Sequence, residues 1–189
     1  MQAVNPTDVL DFWFKQDRKA WFEKNPAFDE EIRSRFLPLY EKASNGELKT
    51  WQQKPASCLA LVILLDQFPR NMFRMSGQES ARAFTADHLA RDAAGVILNN
   101  GWDKRMSPDE RMFVYLPLEH SESLADQEHC LALMQEIAAF PETANLLTWA
   151  DAHLVIIRRF GRFPHRNAAL ARASTPEEIE FLKQPGSSF

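Results

Sequence analysis

Residues 57–67 read SCLALVILLDQ, and this stretch decides the fold. Residues 58–65 are all apolar, so a helix formed here is hydrophobic on every side rather than along one stripe. Such a helix needs other elements to cover it completely. The stretch therefore predicts a central, buried helix that ends at Asp66 and Gln67. Because a membrane-spanning helix needs about twenty apolar residues, this run is too short to cross a bilayer.

The segments on either side of this helix place apolar residues three and four apart, the period of an amphipathic helix, and strand signals are almost absent. Helix starts are indicated by Asn25-Pro26, by SPDE at 107–110 and by TPEE at 175–178, where a capping side chain precedes a proline. Besides the helices that open at Asn25-Pro26 and at TPEE, we predict helices near residues 6–14, 56–67, 79–98, 108–116, 122–139 and 143–160. The predicted fold class is all-α.

The length of 189 residues fits a single domain, because one core of this size can still bury most of the apolar surface of the chain. We therefore predict one domain over residues 1–189. The predicted connections are mostly short, and short connections favour antiparallel neighbours, so the expected architecture is a stack of antiparallel helical hairpins. FPRN at 68–71 and FPHRN at 163–167 further indicate that the same kind of Phe-Pro corner occurs twice.

The composition limits the class of protein. Hydrophobic residues make up 45% of the chain and charged residues 25%, which predicts a folded domain with a sizeable core. The net charge of -4 leaves no broad positive field for a nucleic-acid backbone. The first residues lack the features of a signal peptide, and the two cysteines, Cys58 and Cys130, fit buried reduced thiols. We therefore expect a cytoplasmic protein without nucleic-acid or membrane partners.

A first group of candidate site residues lies at the predicted end of the central helix and in the two Phe-Pro corners. An aspartate beside the core, at the negative end of a helix dipole, is costly unless a cation pairs with it. The candidate cations for Asp66 are Arg70, Arg162 and Arg166. In a purely structural alternative, one Asp-Arg pair locks a corner of the chain, and Asn71 and Asn167 cap the segments after the two corners.

A second group is the segment EHSE at 119–122, which comes directly after Pro117 and Leu118. Pro117 interrupts a helical pattern and frees backbone groups beside three ionisable side chains. Two carboxylates and an imidazole so close in sequence can keep one group protonated and another charged, as general acid-base chemistry requires. In the structural alternative, Ser121 caps the next helix.

Two polar residues on apolar helix faces complete the candidates. Gln127 lies in line with apolar residues of its helix and needs a hydrogen-bond partner, and His153 lies on a similar stripe in the following helix. A histidine in such a position is more often a core residue than a ligand. The chain has one carboxylate-x-x-His element, at 126–129, where di-iron bundles use two. We expect no metal and no cofactor.

Four sequence segments resemble those of one protein family: VLDFWF at 9–14, LLDQFPRN at 64–71, EHSE at 119–122 and FGRFPHRN at 160–167. By these segments the chain resembles the bacterial proteins grouped as domain of unknown function 924, over essentially its whole length, down to GSSF at 186–189. The resemblance implies an all-helical fold similar to tetratricopeptide-repeat superhelices. It implies no activity and no residue roles.

The sequence leaves two functions open at this point. It also leaves open whether the protein is an enzyme. In the first, a small anionic molecule binds where the two Phe-Pro corners meet the segment EHSE. Arg70 and Arg166 then clamp the anion through forked hydrogen bonds. Glu122 or His120 acts as base in an acid-base reaction, and His165 donates a proton. The other ligand-binding candidates are Asp66, Gln67, Asn71, Glu119, Gln127, His153, Arg162 and Asn167.

In the second function, the chain is an interaction module. Stacks of helical hairpins hold peptides or partner helices on a concave surface, and the polar residues at their corners then only fix the curvature. The sequence leaves the oligomeric state open.

Overall fold

The computed structural model describes residues 4–74 and 77–188. Within those ranges the regular structure consists of α-helices, short 3-10 turns and one π-helical turn, without a strand, so the predicted all-α class is confirmed. The helices are α1 (Pro6–Phe14), α2 (Arg18–Phe22), α3 (Pro26–Ser44), α4 (Pro55–Val62), α5 (Phe68–Phe73), α6 (Asp87–Asn99), α7 (Pro108–Glu119), α8 (Leu124–Ile137), α9 (Leu146–Phe160) and α10 (Pro176–Leu182).

The predicted helix starts are confirmed, and their side chains explain why the helices begin there. Asn25 accepts hydrogen bonds from backbone N–H groups in the first turn of α3, and Pro26 occupies the first helical position. At α10, Thr175 and Glu178 form a reciprocal capping box, in which each side chain accepts from the other residue's backbone N–H. Both devices use neighbouring residues, which is why the sequence predicts them.

The central stretch is buried as predicted, but the helical path does not end at Gln67. α4 is followed by a π-helical turn, Ile63–Gln67, and α5 then continues the path. In this turn the backbone N–H of Phe68 donates to the carbonyl of Ile63, five residues earlier. The predicted end is therefore wrong. Pro69 has no N–H and crowds the preceding turn, and the widened turn accommodates it without a break.

Further helix boundaries differ from the predictions, among them the following two. α7 continues through Pro117 to Glu119, so the predicted end at residue 116 is wrong. A proline removes a single backbone donor, and the remaining hydrogen bonds of the helix are enough for the helix to continue beyond Pro117. The helix predicted at 79–98 is divided into a 3-10 turn, Gly77–Ala83, and α6.

The two Phe-Pro corners differ from each other, contrary to the prediction that they are alike. FPRN at 68–71 lies within α5, inside the helical path described above. FPHRN at 163–167 contains a 3-10 turn, Pro164–Arg166, outside the α-helices. The difference arises at Gly161, whose φ of 68° ends α9 in the left-handed conformation that glycine adopts readily.

Contacts within the chain define two compact units, a first unit that ends at Pro117 and a second unit that begins at Leu118. In the first unit, α4 packs against α1 and α6, and α3 packs against α5. The Trp13 ring lies 5.7 Å from Phe68 and 5.4 Å from Phe113, measured between centroids. One domain over 1–189 stays a prediction, and residues 1–3, 75–76 and 189 lie outside the described residues.

The second unit is built on a helical hairpin. α8 and α9 are joined by a short connection and pack against each other, as the hairpin prediction requires. Ile156, Ile157 and Phe163 form a core cluster, against which Phe160 and Phe181 pack. The likeness to a tetratricopeptide-repeat superhelix stays a prediction.

Cys58 and Cys130 are buried free thiols, as predicted. Burial raises the pKa of both, so neither is a ready nucleophile. Over the described ranges, no helix combines the length and the apolar character needed to cross a membrane. The cytoplasmic location and the exclusion of nucleic acid stay predictions.

Candidate functional site

The candidate residues of the first unit surround the fully buried carboxylate of Asp66. The Arg70 guanidinium lies 3.2 Å from the Asp66 Oδ1 atom and donates to the Asp66 carbonyl oxygen at 2.5 Å. The side-chain amide of Gln67 donates to Asp66 Oδ2 at 2.6 Å. The prediction that Asp66 needs a cation is confirmed, and of the three arginines considered, Arg70 is the partner.

A second carboxylate also holds Arg70. The Arg70 Nη1 and Nη2 atoms lie 3.1 and 3.2 Å from the two carboxylate oxygens of Asp87. Burial alone would lower the pKa of Arg70, but the charges of Asp66 and Asp87 keep that pKa above its ordinary value. Asn71 extends the network by donating to Asp29 at 2.7 Å. These contacts join α3, α5 and α6, which supports the structural alternative for this part of the chain.

The candidate residues of the second unit collect around the buried ring of Phe163. The rings of His153 and His165 each lie 5.6 Å from the Phe163 ring, and the Arg166 Cζ atom lies 4.5 Å from its centre. The His120 ring lies 6.5 Å from that of His153. We call His120, His153, His165 and Arg166 the histidine cluster. Three imidazoles and one guanidinium thus converge in one place.

Three segments of the chain bring these side chains together. His120 follows the last residue of α7, and His153 lies in α9. After α9 ends at Gly161, the 3-10 turn Pro164–Arg166 brings the chain back to the end of α7. There Arg166 Nη1 donates to the His120 carbonyl oxygen at 2.9 Å.

One ion pair holds the backbone of Phe163 on both sides. The Phe163 N–H donates to Glu122 Oε1 at 2.8 Å, and the Phe163 carbonyl accepts from Arg172 Nη2 at 3.2 Å. Glu122 and Arg172 bind each other through two hydrogen bonds of 2.7 and 2.9 Å. We call this pair the backbone clamp. It sets the position of the ring around which the histidine cluster is arranged.

The backbone clamp also decides the charge of Glu122. Burial on its own would raise the pKa of this carboxyl group, but hydrogen bonds from Arg172 and Phe163 bring the pKa below its usual value. Glu122 is therefore a carboxylate near neutral pH and a weak base there. His120 and His165 are the other two residues that were predicted for acid-base chemistry.

Sequence reasoning missed Arg172. This residue lies outside every motif quoted above, and its partner Glu122 is 50 residues away, a separation that leaves no capping or periodic signal. Ala171, directly before it, has a φ of 52°, a left-handed conformation that costs a residue with a side chain roughly 1 kcal/mol or more. The hydrogen bonds of Arg172 offset this cost, and strained backbone of this kind is often found at functional sites.

A second ion pair fastens the segment that precedes α10. Arg162 donates to the two carboxylate oxygens of Glu178 at 2.6 and 2.8 Å, and these bonds lower the pKa of Glu178 to about 2. Asn167 donates to Glu178 at 3.3 Å and accepts from Arg172 at 3.0 Å. Sequence reasoning identified Glu178 only as a capping residue. Arg162 and Asn167, both predicted to bind ligand, thus help to hold the segment that carries His165.

Gln127 closes the carboxyl end of α7. Its amide nitrogen lies 2.5, 2.7 and 3.3 Å from the carbonyl oxygens of Glu119, Ser121 and Leu118. Because the last carbonyls of a helix have no partner within the helix, this amide supplies the missing donor. The prediction that Gln127 points inward and needs a partner is confirmed. The residue that caps α8 is Ser123 rather than Ser121.

His153 is a buried, neutral imidazole, as predicted for a core histidine. Its Nδ1 atom lies 2.9 Å from the Trp149 carbonyl oxygen, and since a carbonyl only accepts, Nδ1 carries the proton. Glu119 Oε1 lies 3.6 Å from the same nitrogen. Burial lowers the pKa of His153 to about 3, and the positive charge of Arg166 acts in the same direction.

We expect the His153 imidazole to remain neutral when the pH is lowered from about 8 to about 4. Its pKa is about 3 in the folded chain and about 6.5 in an unfolded one, so proton binding favours unfolding. The free energy of unfolding should therefore fall as the pH drops below about 6.5, and less so in His153→Gln. Nuclear magnetic resonance titration of the His153 ring signals measures this pKa. The signals are assigned by their absence in His153→Gln. A midpoint near pH 6 would contradict it.

The chemistry of the histidine cluster fits an anion rather than a metal ion. Among residues 4–74 and 77–188, no three or more His, Cys, Asp or Glu side chains are grouped to hold a metal. The Arg166 guanidinium cannot coordinate a cation and repels one. It donates hydrogen bonds, as do protonated imidazoles, and such donors bind negatively charged oxygen atoms.

The structure places the predicted candidates in two groups. Asp66, Gln67, Arg70 and Asn71 belong to the buried network of the first unit. In the second unit, His120, His153, His165 and Arg166 form the histidine cluster, and Glu119, Glu122, Gln127, Arg162 and Asn167 hold the segments around it. The predicted meeting of the two Phe-Pro corners stays a prediction.

Comparisons with known proteins give the chain a family but no activity. The family model described as bacterial protein of unknown function (DUF924) matches residues 9–186. The solved structure of the protein of unknown function ATU0120 from Agrobacterium tumefaciens is similar, with a TM-score of 0.85 and 40% sequence identity, over 94% of this chain and 96% of that chain. No curated protein matches the chain.

Proposed function

This chain belongs to the bacterial family of unknown function DUF924, and because that membership names no activity, we propose from the site itself that the second unit binds a small anionic molecule. The histidine cluster is the binding site. The anion accepts hydrogen bonds from Arg166, His120 and His165. The observation that carries the proposal is the convergence of Arg166, His153 and His165 around Phe163, with His120 beside His153, from segments up to 46 residues apart.

Arg166 gives this site a permanent positive charge, because a guanidinium stays protonated throughout the pH range of folded proteins. The side chain is 6% exposed and lies against the face of Phe163, where the effective dielectric constant is lower than in water. Contacts with an aromatic face and with the His120 carbonyl oxygen position the guanidinium.

The two half-buried imidazoles connect the site to water and make proton transfer possible. His120 and His165 keep part of their surface exposed, whereas His153 is buried. In this function, one of these two half-buried imidazoles accepts a proton from the bound molecule or donates one to it, which is the acid-base option.

Arg70 has no part in the proposed site. Its guanidinium already faces the carboxylates of Asp66 and Asp87, at 3.2 and 3.1 Å. An anion at Arg70 would meet two negative charges in a poorly hydrated place, which is unfavourable. Glu122 is likewise assigned to the backbone clamp rather than to catalysis.

No specific contact favours the interaction module over the anion site. Trp149 and Val155 of α9 are each 53% exposed. Six residues separate them, so they lie about 240° apart around the helix and form no common apolar stripe. The interaction module therefore stays a prediction from the sequence.

Isothermal titration calorimetry of the full chain tests the proposed function. The probes are phosphate, sulfate, malonate and acetate, titrated at constant ionic strength. We expect at least one of them to bind, and Arg166→Gln to weaken that binding by a factor of at least about ten, because the permanent positive charge is lost. His165→Asn, which changes a half-buried side chain, should weaken the same binding even if Arg166→Gln fails to fold.

Arg158→Gln is the matched control, since Arg158 is an exposed residue of α9 that pairs with Glu128 at 3.1 Å. It removes the same charge from the chain outside the histidine cluster, so the affinity should not change. Equal weakening by Arg158→Gln would show that the anion responds only to net charge and would overturn the proposal. Absence of binding of all four probes to the wild-type chain would overturn it as well.

A further inference from the structure

We propose that residues 168–174 form a strap that opens and closes while the helices of the second unit stay folded. The strap lies between the 3-10 turn Pro164–Arg166 and α10. It carries Arg172, the arginine of the backbone clamp, so its opening removes one of the two supports of the Phe163 backbone. Opening needs no ligand, so this proposal goes beyond the proposed function and can fail separately from it.

Polar side-chain contacts hold the strap in its closed position. Arg172 binds Glu122 through two hydrogen bonds of 2.7 and 2.9 Å. Arg172 also donates to the side-chain oxygen of Asn167 at 3.0 Å, and the Ser174 hydroxyl accepts from the side-chain nitrogen of Asn167 at 3.1 Å. Glu122 and Asn167 lie outside the strap. Opening therefore breaks these contacts together.

Apolar packing adds little to these contacts. Every residue from 168 to 174 is exposed or half-buried, and Leu170 is the one large apolar residue among them. Because burial of apolar surface is the main force that keeps a segment in place, the strap depends on its polar contacts. The side chains of Arg172 and Glu122 are 24% and 28% exposed, so water competes for both. Segments of this kind open locally at a lower free energy than packed helices.

The closed strap also contains a strained residue. The Arg172 N–H donates to the Asn167 carbonyl oxygen at 2.8 Å. The Ala171 N–H donates to the Ala168 carbonyl oxygen at 3.3 Å. With a φ of 52° at Ala171, these two bonds make a Schellman turn, whose left-handed position is usually a glycine. An alanine there meets a steric cost that an open strap does not impose, so the strain favours opening.

Opening of the strap changes what holds Phe163. In the closed strap, Arg172 donates to the Phe163 carbonyl oxygen at 3.2 Å, while Glu122 accepts from the Phe163 N–H at 2.8 Å. When the strap opens, Arg172 leaves both of these residues, and the backbone clamp is undone. The ring around which the histidine cluster is arranged is then held less firmly. A lower affinity of the open state for an anion follows, and that consequence alone rests on the proposed function.

The initial rate at which trypsin cleaves the full chain after Arg172 measures opening, because a protease reaches a folded segment only when it opens. The reference is cleavage after Arg158, which lies within α9 and is protected until that helix unfolds. Mass spectrometry identifies both products. We expect cleavage after Arg172 to be at least about tenfold faster than cleavage after Arg158 in the wild type. Equal rates would mean that the strap opens only when the unit unfolds, and would overturn the proposal.

Two variants should shift this cleavage in opposite directions. Glu122→Gln removes the carboxylate that pairs with Arg172, so we expect cleavage after Arg172 to become about tenfold faster. Ala171→Gly relieves the strain of the closed strap, so we expect the same cleavage to become about threefold slower. Peptides with the sequence of residues 167–176, with and without the glycine, correct for the preference of trypsin itself.

Glu177→Gln is the matched control, since Glu177 pairs with Arg159 at 2.9 Å on exposed side chains outside the strap. It removes the same charge as Glu122→Gln and should leave cleavage after Arg172 unchanged. Equal acceleration by the two variants, or acceleration by Glu122→Gln that is the same after Arg158, would contradict local opening of the strap. Ala171→Gly decides the question if Glu122→Gln fails to fold, because faster cleavage in the glycine variant would overturn the role of the strain.

Discussion

Replacing Asp66 with asparagine is expected to lower the free energy of unfolding by about 3 kcal/mol, as removal of one partner of a buried ion pair does. The Asp66 carboxylate is fully buried, accepts a hydrogen bond from Gln67 and contacts Arg70. The substitution keeps the shape of the side chain but removes a negative charge from a place where water cannot replace it. Urea denaturation followed by circular dichroism measures the change.

Asp11→Asn is the matched control for this variant. Asp11 pairs with Lys15 at 3.1 Å on the surface of α1, and both side chains are largely exposed. Loss of this pair should change the free energy of unfolding by less than about 0.5 kcal/mol. Similar losses in the two variants, or a loss below about 1 kcal/mol for Asp66→Asn, would contradict the structural role of the buried pair.

Arg172→Gln is expected to lower the free energy of unfolding by about 2 kcal/mol and to weaken binding of the anionic probe that the wild type binds about tenfold. The variant removes the guanidinium that pairs with Glu122 and donates to the Phe163 carbonyl. The expected loss of stability is smaller than for Asp66, since the side chains of the backbone clamp are partly exposed. The affinity falls because Phe163 no longer holds His165 and Arg166 in place. Urea denaturation and calorimetry measure the two effects.

Ala171→Gly is the control for Arg172, because it changes the adjacent residue and leaves the guanidinium in place. Glycine adopts a φ of 52° without the side-chain clash that alanine meets, so we expect no loss of stability and an unchanged affinity for the same anionic probe. If Arg172→Gln loses stability yet binds this anionic probe as tightly as the wild type, the backbone clamp supports the fold alone and does not position the site.

Three helix starts could be predicted, and Arg70 could be named as one of three candidate partners of Asp66, because the determinants lie within a single turn of chain. Thr175 and Glu178 are three residues apart and cap each other's backbone. Asp66 and Arg70 are four residues apart, so a continuous helical path places them on the same face. In both cases the nearby sequence contains both partners.

The path of the chain at prolines could not be predicted in this way. The predicted helices end before Pro69 and before Pro117, yet the helical path continues past each of them. A proline inside a helix costs about 3 kcal/mol, and packing of the surrounding residues decides whether that cost is offset. Those residues are distant in sequence, so the local pattern does not predict whether the helix continues past the proline.

The candidate site was predictable in its members but not in their roles. His120, His165 and Arg166 stand in recognisable segments of the sequence. Glu122 was predicted as a base because its neighbours in sequence are an imidazole and a carboxylate. Its actual partners are the Phe163 N–H and the Arg172 guanidinium, which keep it charged.

The amino-acid order alone determined the helical class and the helix starts at Pro26, Pro108 and Pro176, because each depends on neighbours within one or two turns. It left the partner of Asp66 open among Arg70, Arg162 and Arg166. Tertiary structure alone decided that Glu122 and Arg172 hold the backbone of Phe163 and that the histidine cluster gathers around its ring. The contacts of Glu122 with Phe163 and with Arg172 join residues 41 and 50 positions apart. Closing such distances costs chain entropy that only the packing of the whole unit offsets, so no local pattern encodes them.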